Sequence, residues 1–184
     1  MTYSDIKLRN LTLDDLDSFY KLNHPNQKFH ELNGPYFKKR TESDLREYIN
    51  TLKNRIISKD STLHSQSQLI VLNESNQLIG QVSCYWVCQE TLWLNIGIVI
   101  FDENFWGKGI GHMALKLWIE RVFLTHPEII RLGLTTWSGN TGMMNLAEKL
   151  GFKLEARFRK ARIVKGEYFD SLGYGILRDE WKNS

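Results

Sequence analysis

Residues 106–111 read Trp106-Gly107-Lys108-Gly109-Ile110-Gly111, three glycines and a lysine within six residues. Glycine permits backbone conformations and close approaches that a Cβ forbids, and successive exposed amides beside a cation suit a phosphate. Spacing excludes two familiar phosphate loops. A nucleotide-triphosphate loop needs GxxxxGK followed by Ser or Thr to hold magnesium, and no Ser or Thr follows Lys108. A dinucleotide fingerprint, GxGxxG, is met by Gly107 and Gly109 but fails at His112, and no repeated βαβ array surrounds it. Two readings stay open for the hexapeptide itself: a phosphate cradle, or a flexible strand-to-helix connector.

The flanking elements bear on that choice. Leu92–Phe101, dense in Ile96, Ile98, Val99 and Ile100, predicts a buried strand directly before the glycines. His112–Thr125 carries helical spacing through Leu115, Trp118, Val122 and Phe123. A strand that enters a helix through glycines points the first-turn N–H groups outward, where the helix cannot pair them. Their summed partial charge, about half a unit, suits a pyrophosphate. Gly109 and Gly111 would let its oxygens approach without a Cβ in the way.

The rest of the chain supplies a conventional frame. Thr12 with Asp15 and Thr41 with Asp44 have the spacing of reciprocal caps, predicting helices that bury Leu13, Leu16, Phe19 and Tyr20, and Leu45, Tyr48, Leu52 and Ile56. Asn23 to Lys39 is irregular. Leu69–Asn73 and Leu78–Cys88 read as strands around the turn Glu74-Ser75-Asn76, Ile129–Trp137 as a further strand, and Thr141–Leu150 as a helix closed by Gly151. Phe152–Ile163 and Tyr168–Leu177 read as two strands around Lys165-Gly166. This order predicts an α/β fold, a mixed sheet flanked by helices.

At 184 residues the chain is expected to form one domain, residues 1–184, and 42% hydrophobic content leaves no room for extensive disorder. A net charge of +3 is too small to argue for direct nucleic-acid binding, and most of the excess is local, in Arg157, Arg159, Lys160, Arg162 and Lys165. Cys84 and Cys88 fit no four-ligand zinc spacing, so no metal is expected; they suit buried thiols in a reducing cytoplasm. MTYSDIKLRN has no apolar segment of the kind a signal peptide needs, and no run approaches the roughly 20 apolar residues of a membrane span.

With these elements in place, the hexapeptide resembles the signature of the Gcn5-related N-acetyltransferase (GNAT) family, Gln/Arg-x-x-Gly-x-Gly/Ala between a strand and a helix. Trp106 stands where many relatives have Gln or Arg, which resembles the branch that acetylates ribosomal-protein N-termini. A second motif agrees: the family places an Asn eleven residues before a Gly-Phe pair, as do Asn140 and Gly151-Phe152. The resemblance spans roughly residues 5 to 178. It implies a central, mostly antiparallel sheet with one splayed parallel strand pair, and acetyl-coenzyme A as cosubstrate. The cofactor's pantetheine would pair with the backbone of Ile98, Val99 and Ile100, within one residue of register. Its pyrophosphate would rest on the amides of Gly107, Lys108, Gly109, Ile110, Gly111 and His112. Asn140 would lie beside the pantetheine, in addition to capping a helix. A backbone N–H near Ile98–Ile100 would serve the oxyanion.

The family's usual proton carriers are missing. Ala147 stands where many relatives place a thiol-protonating Tyr, and Met143 where some place Ser. Asn95 occupies the position of the usual Glu base, two residues before Gly97. Asn95 can orient an amine or a water but cannot take its proton. Glu90 is the nearest carboxylate in sequence, and Tyr168, with Asp170 and Tyr174, would line the acceptor side, Tyr168 as a candidate proton donor. The candidate catalytic set is therefore Glu90, Asn95 and Tyr168, with direct attack by the amine resting on positioning. Phe29–Phe37 falls where relatives cover the acceptor, its aromatics either recognising substrate or stapling the loop. Three acceptor readings stay open: a protein N-terminus or another primary amine; a small amine such as a polyamine, amino sugar or antibiotic; and a non-catalytic acyl-coenzyme A sensor. Assembly as a homodimer also stays open.

Overall fold

The computed structural model describes residues 5–182. Residues 1–4, where the N-terminal reading begins, and 183–184, the end of the expected domain, lie outside the described residues. Seven strands, β1 (Ile6–Arg9), β2 (Ser67–Leu72), β3 (Leu78–Cys88), β4 (Trp93–Ile100), β5 (Arg131–Trp137), β6 (Lys153–Val164) and β7 (Glu167–Leu177), form a sheet in the order β1-β2-β3-β4-β5-β7-β6. The β4–β5 ladder is parallel, while β1–β2, β2–β3, β5–β7 and β6–β7 are antiparallel. The helices are α1 (Leu16–Leu22), α2 (Glu42–Ile57), α3 (Ser61–Gln66), α4 (Ile110–Thr125), α5 (Thr141–Lys149) and α6 (Arg178–Lys182). The mixed α/β architecture expected from the sequence is the one observed. The described residues divide into two compact units, residues 5–83 with Ile98–Ala114 and Cys84–Gly97 with residues 115–182.

In the first unit, Leu16, Phe19, Phe29, Leu52, Leu63, Leu69, Val71 and Phe101 belong to one apolar cluster. Both expected capping boxes are present, Thr12–Asp15 and Thr41–Asp44. The first opens a short 3₁₀ turn (Leu13–Asp15) before α1, which leaves Leu13 exposed rather than in the core. Phe29 sits in a second 3₁₀ turn, Lys28–Glu31, and packs edge-on against Phe101 at 5.5 Å, so this aromatic staples the loop. Helix α3 has no counterpart in the sequence reading. Its only buried residue is Leu63, and it is held by Asp60, whose carboxylate caps Thr62 N at 2.9 Å and accepts from Arg55 at 2.7 Å.

Arg9 grips the buried Asp15 with two nitrogens, at 2.6 and 2.7 Å, while Thr12 donates to Asp15 through its backbone and hydroxyl at 2.9 and 2.8 Å. Burial pushes the Asp15 carboxyl up, but Arg9 and Thr12 together outweigh it and hold it below the usual range. Because the folded state binds the Asp15 proton more weakly than the unfolded chain, this stabilisation is complete above about pH 4 and lost as pH falls further. Arg9→Met is expected to cost about 3 kcal/mol at pH 7, the usual cost of stranding one partner of a buried pair. Urea unfolding at pH 7 and pH 3 checks this, the gap from wild type narrowing at pH 3.

In the second unit, the buried face of α4 carries Leu115, Trp118, Ile119, Val122 and Phe123, and the buried strand residues include Leu94, Ile96, Leu132, Leu134, Leu172 and Ile176. Helix α5 ends in a Schellman cap. Gly151 has φ of 82°, its amide donates to Glu148 O at 3.0 Å, and Phe152 N donates to Ala147 O at 3.0 Å. Ala147 and Phe152 are both buried, as the hydrophobic contact of this motif requires. The Gly-Phe pair thus has a structural cause of its own. Neither Cys84 nor Cys88 is in a disulfide, but only Cys84 is buried, and burial pushes its thiol up to about 11. Four residues along one strand separates them by about 13 Å, too far to bridge. A thiol reagent at pH 8 should label Cys88 in the native protein and Cys84 only after denaturation, a difference that mass spectrometry reads directly.

Candidate active site

The first unit holds the end of β4, the glycine turn and the start of α4. Phe101 N donates to Ile79 O of β3 at 2.9 Å. Backbone groups alternate along a strand, so Val99 turns to the β3 side as well, and a Cβ on Gly80 would lie 2.5 Å from Val99 O. Ile98 and Ile100 turn the other way. Of the expected trio, Val99 therefore presents its backbone to β3, and Ile98 and Ile100 present theirs away from it. Ile100 O already accepts the Trp106 indole N–H at 3.0 Å, and Trp106 packs on the apolar cluster. Trp106 therefore folds the turn back onto its own strand.

Between them, Asp102 caps a 3₁₀ turn (Glu103–Phe105) at Asn104 N, 2.9 Å, and Lys28 pairs with Glu103. Gly107 and Gly109 have φ of 69° and 81°, conformations that strain any other residue, and a Cβ on either would meet nothing within 4 Å. The turn thus combines glycine-only backbone with open space beside it. Met113 N reaches Gly109 O at 3.1 Å, so Gly109 caps α4 and the amides of Ile110, Gly111 and His112 form its first turn. Ile110 is fully buried and anchors the turn, Lys108 is exposed and His112 half-buried. Amide donors with no side chain in front of them fit a pyrophosphate.

The second unit holds Glu90, Asn95, Asn140 and Tyr168. Asn140 Oδ1 accepts from Met143 N at 3.0 Å, making it the cap of α5; a further role at a cofactor would fall to its nitrogen. Glu90 lies fully exposed at the β3–β4 turn, where its own backbone N–H and the Cys88 thiol lower its pKa, which weakens it as a proton acceptor. Tyr168 is 63% exposed on β7. Tyr174 is buried, and burial raises its pKa. Asp170 holds β6: it accepts from Lys160 N at 2.9 Å and Arg157 at 2.6 Å, which lowers its pKa and secures an irregular stretch where Lys160 has φ of 55°.

Asn95 sits in the second and last row of the parallel ladder, Leu94↔Leu132 and Asn95↔Gly133. It is 4% exposed; its Nδ2 donates to Tyr85 OH at 3.4 Å, while its Oδ1 is buried without a protein partner. A Cβ on Gly133 would overlap this oxygen, so the glycine makes room for it. Arg131, which the sequence reading passed over, lies 2.9 Å from that same point through Nη1, also buried without a partner. Its Nη2 pairs with Glu155, and its guanidinium lies 5.6 Å over the Trp93 ring. A lone Arg opening a strand gives no signal; only the register, which puts Gly133 opposite Asn95, reveals it.

The architecture is an α/β fold: a mixed sheet with one parallel ladder, whose strand runs through a glycine turn into a helix. A family model described as an acetyltransferase (GNAT) domain matches residues 5–153, and the chain belongs to this family. It is an N-acetyltransferase by class, with acetyl-coenzyme A as cosubstrate. It is 24% identical over 143 residues to the SPbeta prophage-derived uncharacterized N-acetyltransferase YokL of Bacillus subtilis (strain 168), covering 78% of this chain and 75% of that protein. A spermidine N-acetyltransferase from Vibrio cholerae, solved with CoA and spermine, shares the fold with a TM-score of 0.74 and 21% identity, over 98% of this chain and 99% of that one. RimL, a ribosomal L7/L12 alpha-N-protein acetyltransferase solved with coenzyme A, shares it with a TM-score of 0.71 and 18% identity, over 96% of each chain. Among the described residues, no helix is long and apolar enough to cross a membrane.

Proposed function

We propose that the protein, acting as a single domain in the cytoplasm, moves the acetyl group of acetyl-coenzyme A to a primary amine by direct attack within a ternary complex. The observation that carries this reading is the turn at Gly107 and Gly109, with its left-handed backbone and open space before the first turn of α4. Amides from Gly107 to His112 bind the pyrophosphate, and the backbone of Ile98 and Ile100 pairs with the pantetheine. Lys108 adds a charge, and the Asn140 nitrogen contacts the pantetheine arm. Acetyl-coenzyme A supplies the activated acyl group. The chain supplies position: Asn95 Oδ1 accepts an N–H of the acceptor and aims its lone pair. Neither Ala147 nor Met143 can protonate a thiolate, and Glu90 is a weak base where it stands, so as the thioester C–S bond breaks the amine sheds its proton to solvent and coenzyme A leaves as a thiolate that solvent protonates.

A protein N-terminus is the favoured acceptor, supported by Trp106 in the glycine motif, and a homodimer is the proposed assembly. A polyamine is the runner-up, since the similar structures include both a ribosomal-protein and a spermidine acetyltransferase. The test is thiol release from acetyl-coenzyme A with a panel of peptides, polyamines and amino sugars. Release with at least one amine is expected. Tight cofactor binding without release for any amine would make the protein a sensor instead.

A further inference from the structure

We infer that Asn95 and Arg131 together form the subsite for the acceptor's reacting end, and that it takes an amine borne next to a carbonyl, the α-amino group of an amino acid or peptide. This rests on the acetyl-transfer reading and names its substrate class. Two buried polar atoms of opposite kind are left over side by side. Asn95 Oδ1 can only accept and Arg131 Nη1 can only donate, and neither has a protein partner. Folded proteins rarely leave such atoms unpaired, and those that persist call for a ligand or water.

Everything else on the two side chains is tied down. Tyr85 OH takes the Asn95 Nδ2–H, which assigns the amide, and both the Asn95 oxygen and the Arg131 nitrogen lie within 3 Å of the Cβ position of Gly133. Glu155 holds the other guanidinium nitrogen, and Trp93 lies under its plane. Two glycines make room for these side chains: the Asn95 amide fills the place that a Cβ on Gly133 would take, and the Glu155 carboxylate fills that of one on Gly175. A one-residue change on either strand would close the arrangement, so it is built rather than incidental.

An α-aminoacyl group carries the matching pair, an N–H and a C=O separated by one carbon. Its N–H would answer Asn95 Oδ1 and its carbonyl oxygen Arg131 Nη1. A polyamine offers no acceptor, and its second ammonium would face a guanidinium of like charge. The Glu155 carboxylate, which would otherwise attract it, is paired with Arg131. The cover over the two atoms is side chain: Arg131 is 28% exposed and Trp93 47%, so admitting a ligand asks for rotamer changes and no backbone shift. Tyr85 and Val87, also exposed on β3, alternate onto the same face and offer an apolar rim for the first residue's side chain.

The test compares alaninamide, isopropylamine and spermidine as acceptors for the full chain, wild type and Arg131→Met, with Arg131→Lys as a milder variant. Wild type should favour alaninamide over isopropylamine by about 10- to 100-fold in kcat/KM, the range for one hydrogen bond to a charged group. Arg131→Met should erase that preference through KM, and Arg131→Lys should restore part of it. A preference for spermidine, or an alaninamide preference that survives both substitutions, would overturn the proposal and leave the pair as a water site. If no amine is turned over, the acetyl-transfer reading fails by itself. Calorimetric binding of alaninamide in the presence of coenzyme A then decides the subsite: binding lost in Arg131→Met supports it, and no binding to wild type overturns it.

Discussion

Gly109→Trp is expected to weaken acetyl-coenzyme A binding by at least about 100-fold while the protein stays folded. Gly109 has φ of 81° with nothing within 4 Å of a Cβ, so the indole would enter open space and not the core. The cost to stability is backbone strain alone, about 1–3 kcal/mol. The cost to binding is larger, because the ring would stand in front of the amides from Gly109 to His112. Losing two charge-assisted hydrogen bonds removes about 3–6 kcal/mol, two or more orders of magnitude in affinity. Gly166 provides the control: it has φ of 85°, also with nothing within 4 Å, and lies at the β6–β7 turn. Gly166→Trp should carry the same strain and leave binding untouched. Calorimetric titration of both variants with acetyl-coenzyme A, beside their melting curves, separates the effects. Equal affinity in Gly109→Trp and wild type would remove the turn from the cofactor site.

What could be read from the sequence follows from how local each cause is. Helix α2 is legible because Thr41 and Asp44 cap it and Leu45 and Leu52 repeat on its buried side. The Schellman end of α5 is legible because only glycine takes the left-handed conformation at residue 151 without strain. Helix α3 is not, since SerThrLeuHisSerGln offers a single apolar residue and the hold on it comes from Arg55, five residues before Asp60. Within the site the same division holds. Gly107 and Gly109 announce themselves by type and spacing, and their φ values agree. Which way Val99 turns its backbone depends on which side of β4 pairs with β3, a matter of register that a shift of one residue reverses. Arg131 and Gly133 acquire meaning only when the parallel ladder sets them beside Asn95, more than thirty residues away in sequence.

Arg178→Met is expected to be the most damaging single change away from the site, costing about 3–5 kcal/mol. The guanidinium donates to three backbone carbonyls: Ile129 O at 2.8 Å, Phe123 O at 2.9 Å and His126 O at 2.6 Å. Phe123 lies in the last turn of α4, where carbonyls lack helical partners and the helix dipole is negative, so a fixed cation there meets both needs. The same side chain stacks on the Phe123 ring at 4.5 Å, and its backbone amide donates to Ile130 O at 2.8 Å. One residue thus joins the end of α4, the turn after it and the entry to β5. Methionine keeps the apolar stem but takes the guanidinium from all three carbonyls, leaving His126 O only the Ile129 amide at 3.3 Å, and each lost donor costs about 1 kcal/mol or more when shielded from water. Lysine retains charge but offers a point donor in place of a planar fork, and should recover less than half of the loss. Urea unfolding of the two variants would measure this. A loss below about 1 kcal/mol for methionine would mean that water replaces the guanidinium at all three carbonyls, and that α4 is held by its buried face of Trp118, Ile119 and Val122 alone.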